Sequence, residues 1–315
     1  MRVGLDAFGG DYAPGAVVDG IVALEGRLPQ GCELVLFGAP ELLEPEFARC
    51  GARMDDYEVV PCSEVITMSD HPARAISAKP HSSITVGFQW LAEGKIDGFA
   101  SAGNTGAMTA GSMFFIKPVP GLIRPAIAAY LPVSETQYNL VLDVGLNVDS
   151  KPELLVQFGM LGSMYSRLVF GVERPRVGLL SVGAEAEKGN AVTKVANELM
   201  AAQQRYRFVG NVEGSDVFSN KLVDVIVTDG FVGNVALKEA ESLYKIFVKR
   251  GIRSAFLDKF NFEHYGGTPV LGVNAPVVIG HGISNGTAIA SMVLQTVQVI
   301  ASGLCEQFKR AFANE

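Results

Sequence analysis

The chain is 315 residues long, 48% hydrophobic, and carries a formal net charge of −7. That length suits one domain over residues 1–315 or two closely packed lobes, and the acidic balance excludes a protein built to ride on nucleic acid. Cys32, Cys50, Cys62 and Cys305 have no C-x-x-C spacing, MRVGLDAFGG lacks the basic-then-apolar order of a leader, and no apolar run reaches about 18 residues. The expectation is a reduced, cytoplasmic protein that does not span a membrane, although it can rest on one.

Short apolar runs alternate with helical patterns along the chain. RVGLDA precedes a helix over residues 13–25, ELVLFG one over 40–51, and YEVVPC two, over 71–77 and 82–93. The rhythm continues through DGFAS, NLVLDVG, RVGLLSVG, RFVGNV, DVIVTDG and APVVIGH. Strands apolar on nearly every residue, separated by helices, predict a mostly parallel sheet covered on both faces, with ligands outside the carboxyl ends of its strands. The Pro-rich passage 117–132 reads as a crossing loop between lobes, with IAAYLPV as a strand at its end.

Four junctions repeat one form, a strand, then small and polar residues, then a helix: SAGNTGAM (101–108), SVGAEAEKGN (181–190), TDGFVGN (228–234) and GHGISNGTA (280–288). Glycine lets the backbone approach a ligand, and the first N–H groups of a helix attract an anion. Converging on one crevice, such loops make a phosphate or carboxylate site, with Lys188 as its fixed positive charge. Asn104, Asn190, Asn234 and Ser284 or Asn285 read equally well as helix caps.

Standard motifs fail on inspection. GISNG matches G-x-S-x-G, but no histidine follows Ser284 to complete a triad. GHGISNG lacks the second strand that a dinucleotide fingerprint needs, and GAEAEKGN lacks P-loop spacing. Four dispersed histidines, with Asp6, Asp11, Asp143, Asp149 and Asp229 at strand ends, do not form a metal pattern.

Read together and in order, LDAFGGDYAP, MSDHPARAI, SAGNTGAM, GLIRPAIA, LDVGLNVDSKPELLVQF, RVGLLSVGAEAEKGN, FVGNVEGSD, VTDGFVGNVALK, YGGTPVLGV and the late His-Gly closely resemble the PlsX family, the phosphate acyltransferases of bacterial phospholipid synthesis. The resemblance implies a three-layer α/β fold that is Rossmann-like and isopropylmalate-dehydrogenase-like. It also implies transfer of a long-chain fatty acyl group from acyl carrier protein to inorganic phosphate, with no cofactor and no metal. Further implications are a homodimer resting on the inner face of the cell membrane, partnered by the membrane glycerol-3-phosphate acyltransferase. Departures from the family pattern are Ser77 and Ala78 where a basic residue is expected, Leu146 where alanine is usual, and Ser181-Val182 where Asn-Ile is common.

Within that reading Lys188 offsets negative charge, Asn234 holds phosphate or the thioester oxyanion, and His281 protonates the departing sulfur or orients phosphate. Gly103, Asn104, Thr105, Gly106, Asn190, Asp229, Gly233 and Ser284 are the expected substrate and phosphate contacts. In the segment 244–265, Ile246, Phe247, Ile252, Phe256, Leu257, Phe260 and Phe262 interleave with Lys245, Lys249, Arg250, Arg253 and Lys259. An amphipathic hairpin there would meet anionic lipid or the acidic carrier protein through Lys249, Arg250, Arg253, Phe256 and Phe260, and a dimer or core helix is the competing reading. A phosphotransacylase using acyl-coenzyme A and a non-catalytic acyl or anion binder remain as alternatives.

Overall fold

The computed structural model describes residues 1–219 and 221–313, with only the backbone at 262, so the Phe262 side chain lies outside the described residues. The chain divides into two compact units, Met1–Pro118 with Phe262–Ala301, and Val119–Asn261 with Ser302–Glu315.

The first unit contains β1 (Arg2–Asp6), α1 (Gly15–Val22), β2 (Glu33–Gly38), α2 (Pro40–Arg49), β3 (Glu58–Pro61), α3 (Pro72–Ala78), α4 (Ser83–Ala92), β4 (Gly98–Ser101) and α5 (Thr105–Gly111). Late in the chain it gains β10 (Gly267–Leu271), β11 (Val277–Gly280) and α10 (Gly286–Ala301). Its strands lie in the order β3-β2-β1-β4-β11-β10, parallel except for the β10–β11 pair. The two-residue period of a strand sorts its side chains between two covered faces. Val3, Leu5, Leu36, Ala100 and Val278 pack with Val17 and Ile21 of α1 and Ile289 and Val293 of α10. On the opposite face Phe37 and Phe99 pack edge-on, and Phe88 of α4 joins them. Gly4 is required there, because a Cβ would lie 2.9 Å from Phe37 Cε2 and 3.2 Å from Phe99 Cδ2.

The second unit contains β5 (Ala126–Pro132), β6 (Tyr138–Leu142), α6 (Pro152–Leu168), β7 (Arg176–Leu180), α7 (Ala191–Ala202), β8 (Arg207–Val212), β9 (Val225–Val227), α8 (Gly230–Lys249), the one-turn α9 (Ala255–Asp258) and α11 (Leu304–Phe312). Strand order is β5-β6-β9-β7-β8, parallel except for β5–β6. Buried Phe158 and Tyr165 of α6 and Phe308 and Phe312 of α11 are its largest core residues. Gly162 lets α6 close on the sheet, since a Cβ there would lie 2.8 Å from Leu142 Cδ2 and clash with Val225.

These mostly parallel sheets with packed helices match the α/β class expected from the strand rhythm. Two local expectations need correction. β10 is a strand that sequence reasoning missed, because Pro269 within GTPVL speaks against one. The second is the junction at 228–234, where Asp229 and not Asn234 caps α8, so Gly233 and Asn234 lie inside the helix. Among the described residues no single helix is long and apolar enough to cross a membrane.

Candidate active site

In the first unit the strand ends are organised around Asp6, a carboxylate buried at the end of β1. It accepts hydrogen bonds from Phe8 N (3.0 Å) and Ser101 Oγ (2.6 Å), and Ser101 Oγ in turn accepts from Gly103 N (3.0 Å). Burial pushes the Asp6 carboxyl up from its ordinary value, against the pull of the hydrogen bonds from Ser101, Ser83, Phe8 and Gly9. A Cβ on Gly9 would lie 2.6 Å from Asp6 Oδ2 and 2.7 Å from Gly103 N, so this turn has room only for glycine. Asp11 N donates to Gly282 O at 2.7 Å, which brings the first loop of the chain to the GHGISNG loop.

Asn104 is 5% exposed, and both ends of its amide are engaged in structure. Its Oδ1 accepts from Ala107 N (3.0 Å) and caps α5, while Nδ2 donates to the carbonyls of Thr67 (3.0 Å) and Asp70 (3.2 Å). Asn104 therefore fastens the MSDHPARAI loop to the α5 terminus. Within that loop Asp70 receives Lys79 Nζ at 2.6 Å, a bond that holds its carboxyl below the usual range. Thr105 is exposed, and Gly106 leaves room for Pro72, whose Cβ lies 2.8 Å from where a Gly106 Cβ would stand. Ser284 is 3% exposed and donates through Oγ to His281 O at 2.6 Å, so its hydroxyl closes a turn. Asn285 Oδ1 accepts from Ala288 N (3.0 Å) in the first turn of α10. His281 is half-buried at the end of β11.

The second unit repeats the device with other residues. Asp143, fully buried after β6, accepts from Ile127 N (2.8 Å), Asn147 N (2.5 Å) and Asn147 Nδ2 (3.1 Å). Burial raises its carboxyl above the ordinary value, opposed by these same bonds. Asn147 O then accepts from Gly230 N at 2.7 Å, fixing the start of α8. Asp229 caps that helix through Val232 N (2.8 Å), and Gly233 has no space for a Cβ against the Asp143 carbonyl. Asn234 projects from the second turn and donates from Nδ2 to Val144 O at 3.3 Å. Opposite it stands Gly145 at φ +126°, where a Cβ would approach Asn234 Nδ2 to 3.1 Å.

Lys188 lies in the exposed loop between β7 and α7. Its own backbone is held by Lys188 N to Glu185 O (3.0 Å) and Ser181 Oγ to Lys188 O (3.2 Å). Asn211 Nδ2 braces Glu185 O at 2.8 Å, and Asn197 Nδ2 braces Asn211 Oδ1 at 2.8 Å. Gly183 makes room for the Lys188 stem, whose Cγ would be 2.9 Å from a Cβ at that position. Asn190 caps α7 through Thr193 N (2.9 Å). Among the described residues no carboxylate lies within ion-pair distance of the Lys188 ammonium.

The structure thus brings Gly103, Asn104, His281 and Ser284 into one group of strand-end loops. It places Asp229, Gly233 and Asn234 around Asp143 in the other unit, with Lys188 and Asn190 on the neighbouring β7 loop. Asp6 and Asp143, which the sequence places only at strand ends, are the buried organisers of the two groups. Sequence reasoning missed Asn147 altogether; the run LDVGLN carried the signal, a carboxylate four residues before an amide. The segment 244–265 is the end of α8 plus the single turn α9. Lys249, Arg250 and Arg253 are exposed, with Arg253 3.7 Å from Asp258. Phe256 and Phe260 are half-buried and meet edge-on at 5.5 Å, with Phe218 5.6 Å from Phe260, so the three rings form one aromatic cluster. Among the described residues the large apolar side chains exposed there are Ile246 and Ile252.

A family model described as "Fatty acid synthesis protein" matches residues 1–307. The chain is 42% identical to a phosphate acyltransferase of Halothermothrix orenii, over 98% of each, and 40% identical to one of an Exiguobacterium species, over 99% of each. Among solved structures, a phosphotransacetylase from Streptococcus pyogenes superposes with a TM-score of 0.67 at 16% identity, covering 96% of this chain and 94% of that one. The EutD phosphotransacetylase from Staphylococcus aureus gives 0.63 at 14% identity, over 95% and 94%. At such identities these structures speak to the fold alone.

Proposed function

The chain belongs to the phosphate acyltransferase family, and from that premise we propose that it moves a long-chain fatty acyl group from the thioester of acyl carrier protein to inorganic phosphate. A phosphate oxygen attacks the thioester carbonyl, the C–O bond forms, the C–S bond breaks, and the thiolate takes the proton that hydrogenphosphate brought. Phosphate is itself the nucleophile, so positioning and charge compensation suffice and no acyl-enzyme is needed.

The observation that carries this reading is Lys188, a cation with no ion-pair partner among the described residues, held on a glycine-flanked strand-end loop of a chain whose relatives are phosphate acyltransferases along nearly their whole length. Lys188 offsets phosphate charge beside Asn190. Asn234 orients phosphate or the thioester oxygen, supported by Asp229, Gly233 and the Asp143–Asn147 clamp. His281 serves the departing sulfur, with the Gly103–Gly106 turn and Ser284 as its surroundings. Asn104, occupied as it is, acts by positioning that turn.

The test supplies hexadecanoyl-acyl carrier protein with and without phosphate and traps acyl phosphate as the hydroxamate. Phosphate-dependent hydroxamate is expected. Turnover of hexadecanoyl-coenzyme A but not the carrier-protein thioester would identify a phosphotransacylase of the other donor, and binding without turnover a non-catalytic protein. The same reading takes the chain as a cytoplasmic homodimer that docks on the inner face of the membrane and passes its product to a glycerol-3-phosphate acyltransferase. Exposed Ile246 and Ile252 beside Lys249 and Arg250 support the membrane contact. Flotation with anionic vesicles should be lost in an Ile246→Glu, Ile252→Glu double variant; undiminished flotation would remove this face from the contact.

A further inference from the structure

Beside the Lys188 loop the second unit carries a groove of about 430 Å³ that the proposed reaction has not yet used. One wall is a stripe of α8 in which Phe231, Val235 and Ala236 lead on to Leu243. The opposite wall is Leu180 at the end of β7 with Val217 and Phe218 after β8. Its surface is almost wholly apolar, and Glu239, the one charged side chain of the lining among the described residues, is exposed to solvent. Phe231, Val235 and Leu243 are 61%, 47% and 49% exposed, so a large apolar area stands open to water unless something covers it.

Three observations say what that something is. Ser181 lines the groove and donates its Oγ to Lys188 O at 3.2 Å, so the groove opens at the base of the loop that carries the proposed phosphate cation. Phe231 also lines it, one turn from Asn234 on the same helix. The lining stripe runs from 231 to 243, and twelve residues at the helical rise give a length of about 18 Å. A single acyl layer fills roughly half of a ~30 Å bilayer hydrocarbon core, so the groove matches one extended lipid chain. A volume of this size falls within the range of small-molecule sites, and an apolar lining with polar groups at one end is how an amphiphile with a reactive head is held.

We propose that this groove binds the hydrocarbon chain of the acyl substrate, carbonyl toward Ser181 and Lys188 and tail toward Leu243, and that Ala236 sets how much chain is accepted. The assignment rests on the acyl-transfer reading. Ala236 is half-exposed and small, midway along the stripe, and a larger side chain there fills the groove without entering the core.

The test compares wild type with Ala236→Phe in transfer of butyryl and hexadecanoyl groups from carrier protein to phosphate, and in binding of the fluorescent long-chain fatty acid cis-parinaric acid. Expelling methylenes from an apolar groove should lower hexadecanoyl kcat/KM about tenfold for each two groups lost, leaving butyryl transfer within about twofold, and cis-parinaric affinity should fall in step. Equal loss of both transfers, or unchanged cis-parinaric binding, overturns the proposal. So does a variant whose only change is from dimer to monomer by light scattering, which would make a second copy the occupant. Should Ala236→Phe not fold, Leu243→Glu at the exposed tail end must show the same chain-length dependence. If wild type transfers neither chain to phosphate while cis-parinaric binding still responds to Ala236→Phe, the reaction reading fails and the chain-binding groove stands.

Discussion

The loop 101–108 in the first unit and the loop 181–190 in the second share one grammar, a strand end followed by glycines, small residues and an asparagine at a helix start. They use their polar groups in opposite ways. Asn104 is buried and holds two other pieces of chain, while Lys188 is exposed and only its backbone is engaged. Both Asn104 and Asn190 cap helices, so capping does not separate them. What separates the loops is the packing around them: among the described residues the Thr67 and Asp70 carbonyls take up the Asn104 side chain in the first, whereas Asn211 braces the second at a backbone carbonyl, Glu185 O. A repeated sequence device is thus fixed scaffolding in one place and available chemistry in the other.

The comparison is broken most directly at Lys188. Lys188→Ala should lower phosphate-dependent turnover by about a hundredfold or more with the melting temperature unchanged, because an exposed cation is worth more to developing negative charge than to folding. Near-normal turnover would place the phosphate site elsewhere.

The buried carboxylates should show the reverse profile. Asp143→Asn turns an amide NH₂ toward the donors of Asn147 and should cost about 2 kcal/mol in urea unfolding. The folded carboxyl is raised above the ordinary value, so its ionisation weakens the fold as pH climbs from that value through the raised one. The asparagine variant cannot ionise. Its deficit against wild type should be widest in acid and narrow as pH rises; a deficit independent of pH would contradict the burial argument.

Asn104→Ala should cost about 1–2 kcal/mol through the lost cap and the two carbonyls left by Nδ2, read by thermal unfolding. Activity should fall only as far as the MSDHPARAI loop loosens, and adding phosphate should not restore it. A large loss of turnover at unchanged stability would return Asn104 to direct ligand contact. The smallest effect belongs to Arg253→Ala, where an exposed pair at 3.7 Å from Asp258 is worth less than about 1 kcal/mol, within the error of most unfolding curves.

Much of this was legible in the chain itself. Continuous apolar runs such as ELVLFG and DVIVTDG announce strands buried on two faces, and glycine-rich strand ends announce where ligands meet them, because both follow from local periodicity and backbone freedom. Order and spacing of the loop motifs also carried the family. Long-range pairing decided the rest. Pro269 hid β10, which exists because β11 supplies an antiparallel partner. In TDGFVGN the cap falls at Asp229 and not Asn234, because Asn147 O and Asp143 fix Gly230 and Gly233 at the start of the helix. Phe256 and Phe260, expected to contact lipid or carrier protein, also pack with Phe218, a neighbour that only folding brings to them. The sequence by itself determined which residue types stand at each strand end, since that is written in neighbouring positions. Only the tertiary structure decided which of their polar groups remain free for a ligand, because a hydrogen-bonding group is used up by whatever distant segment folds against it.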